Sequence, residues 1–138
     1  LAMLPLQTAG KRLSRPELFA QSQVQIASKQ AALADAAAQN LQTWVAANPA
    51  DSPAWQLLAS SYSAAGQPLR AIRAEAEAQV ALLDYAAAID RFKAAQDAVR
   101  RAPTSSGRDF MEESIVDVRT RQVQELLKQQ IKDEKEVK

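Results

Sequence analysis

The 138-residue sequence predicts an all-α fold, built as an antiparallel array of helix-plus-turn units. Three observations predict it. Alanine supplies 29 residues and aromatics only 5%, so the helices have to pack closely through small side chains. Strand signals, meaning alternating β-branched or aromatic residues bounded by tight turns, are absent. Finally, Ala71 and Ala88, Ile72 and Ile89, and Ala78 and Ala95 are each 17 residues apart, as are the breaks Pro49, Gly66 and Leu83. One helix and one turn therefore make the unit, and units stack on their neighbours. A chain of this length can bury a core as one domain without staples.

Residues 1–13, with Pro5 and Gly10, read as an irregular leading segment. Ser14-Arg15-Pro16-Glu17 is a capping box, in which the Ser hydroxyl takes an orphan amide and Glu17 reaches back to the Ser amide. A helix runs from there past Leu18, Val24, Ile26 and Leu33. Asp35 either caps a second helix through Leu41, Trp44 and Val45 or lies inside one long rod, so residues 14–47 are one helix or two. Asn48-Pro49 stops it, because the residue before Pro is pushed out of the α region. Asp51-Ser52-Pro53 starts the next helix, with Ser52 as cap and Pro53 in the first turn. That helix carries Trp55, Leu58, Ala59 and Tyr62 and ends at Gly66. Another spans Pro68 to about Leu83, and Asp84 caps one from Tyr85 to about Arg101. The repeats thus occupy 14–102, and 103–108 is a polar linker. A capping helix follows over 109–131, with Ile115, Val116, Val123, Leu127 and Ile131 down one flank, and 132–138 is a frayed mixed-charge tail.

Net charge is +1, from 17 basic and 16 acidic residues interspersed along the chain, which leaves no electrostatic footprint for a nucleic acid. The absence of His and Cys removes the residues most used for zinc ligation, thiol chemistry and proton transfer near neutral pH. No catalytic residue, metal site or cofactor is expected. Glu75 and Glu77, Asp84 and Asp90, and Glu112 and Glu113 are carboxylate pairs on faces expected to be exposed, so none is expected to act as acid or base. Arg73 with Glu77 and Asp117 with Arg121 are expected as i, i+4 surface pairs. No stretch is apolar enough to span a membrane. The opening Leu1-Ala2-Met3-Leu4 lacks an initiator Met and the basic region of a signal peptide, which suggests an excised piece of a longer protein.

Trp55, Leu58, Ala59 and Tyr62, followed by Gly66, Ala71, Ile72 and Ala78, resemble the tetratricopeptide spacing, and 17 residues is half of that repeat of about 34. Ala88-x-x-x-Phe92 fits the same pattern, as do Ile89 and Ala95; all of these are expected as core. Glu75 stands where the first unit would carry an aromatic. The resemblance implies a concave peptide-binding face at Gln56, Ser60 and Ser63, joined by Arg73 and Glu77 if the Pro68 helix also contributes. The basic and Asn residues with which some members clamp acidic chaperone tails are missing at Gln56 and Ser60.

Three stretches further resemble the C-terminal region of bacterial zinc metallopeptidases of family M forty-eight. They are Leu41-Gln42-Thr43-Trp44-Val45 with Ala54-Trp55-Gln56-Leu57-Leu58-Ala59; Arg70-Ala71-Ile72-Arg73-Ala74-Glu75-Ala76 with Leu83-Asp84-Tyr85 and Asp90-Arg91-Phe92-Lys93-Ala94; and Glu113-Ser114-Ile115-Val116-Asp117 with Arg119 and Arg121-Gln122. The family's His-Glu-x-x-His signature is not here. The resemblance therefore implies a non-catalytic, protein-binding domain of a periplasmic endopeptidase, with zinc confined to a missing upstream protease domain. Implied partners are that domain, polypeptide substrates and envelope assembly proteins. The alternatives are a structural lid or oligomerisation module of the same parent, or a free-standing helical adaptor.

Overall fold

The computed structural model describes residues 12–101 and 109–137. The expected linker at 103–108 and all but the last two residues of the leading segment lie outside them. Six helices follow in order: α1 (Arg15–Ala27), α2 (Ala31–Ala47), α3 (Ser52–Ala64), α4 (Pro68–Ala81), α5 (Tyr85–Arg101) and α6 (Phe110–Val137). Each packs on the next, α1 also reaches α3, and α4 also reaches α6, so the helices form an antiparallel array.

The helix starts follow from capping chemistry. Ser14 and Glu17 make the reciprocal capping box. Asp84 caps α5 through the Ala87 amide, and Asp109 caps α6 through the Glu112 amide. At α3 the cap is Asp51, which accepts from the Ala54 amide at 3.2 Å, and not Ser52 as the sequence suggests. Ser52 is the first helical residue, and its buried hydroxyl donates to the Ala78 carbonyl at 2.9 Å, tying α3 to α4. Asp35 caps nothing either. It lies inside α2 and accepts from Gln39 and from Gln67. The break that divides residues 14–47 into two helices falls earlier, at Ser28-Lys29-Gln30, where Lys29 adopts φ 60°.

The two turns around α4 are copies of each other. Gly66 N–H donates to Ser63 and Gln67 N–H to Tyr62; 17 residues on, Leu83 N–H donates to Val80 and Asp84 N–H to Gln79. Both are Schellman turns, which place one residue in the left-handed region. Gly66 takes it without cost at φ 77°, whereas Leu83 holds φ 62° with a Cβ.

Two apolar clusters make the core, and α4 contributes to both. The first gathers Leu18 from α1, Ala38, Leu41 and Val45 from α2, Ala54, Leu58, Ala59 and Tyr62 from α3, and Ala71 and Ala74. The second gathers Ala76, Ala88, Ile89, Phe92, Ala95, Val116 and Val123. Nearly all the expected core residues are buried here; Ile72 and Trp55 are partly buried, and the Trp55 indole donates to the Pro49 carbonyl at 2.9 Å. On α6 the seam is Val116, Thr120, Val123 and Leu127, while Ile131 faces outward. α6 also stays helical to Val137, so residues 132–137 continue the rod and are not the frayed tail expected.

Candidate binding surface

Residues two apart on α4 point to nearly opposite sides of the helix, so Arg73 and Glu77 share one side and Glu75 and Gln79 the other, and this divides the residues expected to form one groove. On one side, Gln56, Ser60 and Ser63 of α3 stand opposite Arg91 of α5, with Glu75 and Gln79 of α4 between them. The groove encloses about 730 Å³. Its floor includes Ala59 and Ala78, both buried, and small side chains there let the α3 and α4 backbones approach. The Ser60 hydroxyl donates back to the Gln56 carbonyl at 3.3 Å. Glu75 and Arg91 face each other at 3.7 Å, each about half exposed, and are the charged groups of this surface. Glu75 therefore turns toward the groove, where an aromatic would have filled it.

Arg73 and Glu77 lie on the other side, so the structure does not bring them together with Gln56, Ser60 and Ser63. They line a separate recess of about 460 Å³ with Trp55, Leu58 and Arg119. Nor do they pair with each other. Arg119 of α6 grips Glu77 with two hydrogen bonds, at 2.7 and 2.8 Å, and Arg73 pairs with Glu112. Arg70 donates to Asp109 at 2.8 Å and lies 3.8 Å from Glu112. Glu77 and Glu112 are 6% and 3% exposed, which corrects the expectation of surface carboxylates: both are bound across the α4–α6 contact. Asp117 likewise accepts from Gln96 of α5 at 3.0 Å. The Asp109 carboxyl is held below its usual range by the Glu112 amide and then by Arg70, and Arg119 is raised by its bond to Glu77.

A second polar centre locks the other half of the array. Asp51 accepts from Arg15 Nε at 2.7 Å, Arg15 Nη2 at 3.0 Å, the Trp44 indole at 2.8 Å and the Ala54 amide. These bonds, led by Arg15, hold its carboxyl down to about 2. Arg15 also lies over the Phe19 ring, 4.2 Å from its centroid. One side chain thus joins α1, α2 and the start of α3.

Gln79, Arg91, Arg70, Arg119 and the hub role of Asp51 escaped the sequence reading. The Arg residues carried a signal in their carboxylate counterparts on other helices, but pairing them needs the rotation of each helix about its axis. No group of His, Cys, Asp and Glu among the described residues is arranged to hold a metal ion, and no described helix is long and apolar enough to cross a membrane. Compared with protein-family models, curated proteins and solved structures, the chain finds no match.

Proposed function

We propose that this chain binds polypeptide along the groove between α3 and α5, as a tetratricopeptide-like, non-catalytic part of a periplasmic zinc metalloendopeptidase. The observation that carries the binding reading is the groove itself: exposed Gln56, Ser60 and Ser63 over an alanine floor, flanked by one acidic and one basic side chain. Such a surface offers hydrogen bonds and two opposite charges to an extended or helical segment, with modest affinity, because little apolar area is available to offset the ordering of the peptide. The parentage rests on the resemblance of the three sequence stretches to family M forty-eight. In that setting the array presents substrate or assembly partners to a neighbouring protease domain.

Photocrosslinking tests the groove. Photoreactive residues placed at Gln56, Ser60 and Ser63 of the full-length parent are expected to give discrete polypeptide adducts, while sites at the exposed Thr43 and Arg121 give none. Equal labelling from both sets sinks the groove. The coding sequence tests the parentage, which requires a His-Glu-x-x-His helix upstream of Leu1.

A further inference from the structure

α6 is longer than the helices it packs on, and Leu126, Ile131 and Val137 toward its end are exposed. Gln130 Nε2 donates to the Leu83 carbonyl at 3.1 Å, which sets the level of the α4–α5 turn along α6. The rod continues to Val137, roughly 10 Å beyond that level at the helical rise per residue. Leu82 and Leu83 are 58% and 62% exposed at the turn, and Val137 is 87% exposed at the tip. Beside the turn, and reached from it through Gln130, is a recess of about 650 Å³ lined by Tyr85, Leu126 and Val137 together with Gln129, Gln130, Asp133 and Glu134. Its charged lining is acidic, with no basic side chain among the described residues.

The turn beside this recess is under strain that the fold does not require. The same Schellman turn is made by Gly66 one unit earlier at φ 77°, so glycine satisfies the geometry. At Leu83 a large apolar side chain is kept in the left-handed region and mostly in solvent. An apolar residue held in the left-handed region and left largely in solvent beside this recess is placed to make a contact outside the chain.

We infer that the α5–α6 end of the array is a second docking surface, for an amphipathic helix of another protein with leucine-type residues on one face and lysine or arginine on its flanks. The apolar face fills the recess against Tyr85, Leu126 and Val137. The basic flank meets Asp133 and Glu134, and Leu83 packs against the helix from the turn. This surface is separate from the α3–α5 groove, and the inference does not rest on the groove reading.

The probe is a synthetic, fluorescently labelled helix with leucines at i, i+3, i+4 and i+7 and lysines on the flanks, titrated into the whole chain by anisotropy. Saturable binding is expected, weakening with salt. The charge-reversed pair Asp133→Lys with Glu134→Lys, and separately Leu126→Ser, are each expected to weaken it by about ten-fold. Leu83→Gly weakens binding while raising the melting point. Gln56→Ala and Ser60→Ala leave it unchanged. These positions are exposed, so circular dichroism is expected to show an intact fold in every variant. The inference is overturned if a glutamate-flanked version of the helix binds equally well, if the charge reversal has no effect, or if the groove variants abolish binding. Sedimentation showing that the chain covers this end with a second copy of itself also overturns it.

Discussion

The two halves of the array are closed by different physics. Around Tyr62 the first core is sealed by Asp51, one carboxylate that caps α3 while holding Arg15 and the Trp44 indole. Among the described residues the second core, around Phe92, has no such hub. The helix that covers it, α6, is tied to α4 by a row of arginines that meet carboxylates on the opposite helix, two of them buried, and this row also borders Trp55 and Leu58 of the first core. The difference matters because α2 and α3 are joined by a short turn, so local capping can set their angle. α6 has no such short turn to α4, the helix it must meet, and ion pairs between residues 39 to 42 apart in sequence set its register. Those pairs contribute specificity of docking more than net stability, since desolvating buried charges offsets much of their attraction.

The largest losses are expected at the centres of the two cores. Phe92 is fully buried, and Phe92→Ala is expected to cost about 3–5 kcal/mol in denaturant unfolding, against a smaller loss for Trp55→Ala, whose ring is only partly buried. Equal losses would mean that Trp55 anchors the first core after all. Next in size is Glu112→Ala, which leaves Arg73 and Arg70 of α4 without their buried partner and is expected to cost about 3 kcal/mol. Glu112→Gln is expected to recover part of that through its remaining hydrogen bonds. If neither variant shifts the midpoint, α6 is held by its apolar seam alone.

Asp51→Ala removes a cap and strands the Trp44 N–H, for about 2 kcal/mol. The same hub sets an acid limit. Its folded pKa lies at about 2, below the unfolded carboxylate value, so its contribution is fully present above about pH 4 and is lost as pH falls toward 2. The Asp51→Ala variant should therefore show a flatter stability profile across that window; an identical profile would place the acid sensitivity elsewhere. The paired turns give a smaller test of opposite signs. Leu83→Gly is expected to stabilise by about 1 kcal/mol and Gly66→Leu to destabilise by about the same. Smallest of all, Lys128→Ala breaks a fully solvated pair with Glu125 and should change stability by less than about 0.5 kcal/mol.

Much of this molecule is local and therefore legible in the amino-acid order. The capping box at Ser14, the stop at Asn48-Pro49, the cap at Asp84 and the 17-residue period are interactions within about five residues, or repeats of them, and all appear in the structure. So do the buried alanines at 71, 78, 88 and 95. Order along the chain does not decide between two local choices that are nearly equal. Asp51 and Ser52 can both cap a helix, and only the Ala78 carbonyl across the α3–α4 contact draws Ser52 away. At Lys29 the chain breaks with neither Gly nor Pro; Ser28 supports the bend by donating to the Gln25 carbonyl at 2.6 Å and accepting from the Gln30 amide at 3.2 Å.

The candidate site was half legible for the same reason. Gln56, Ser60 and Ser63 share one face of one helix, and a helical period suffices to group them. Whether Arg73 and Glu77 join that face depends on how α4 is rotated between its neighbours, and on which carboxylates α6 presents when it docks. By itself the sequence determined that the chain is helical, where its short turns fall and which small residues lie inside. The tertiary structure alone decided which side of α4 faces the groove, which charges are buried and how far α6 overhangs. Backbone hydrogen bonds and caps are settled within a few residues, whereas the azimuth and register of packed helices are settled only by the side chains they meet.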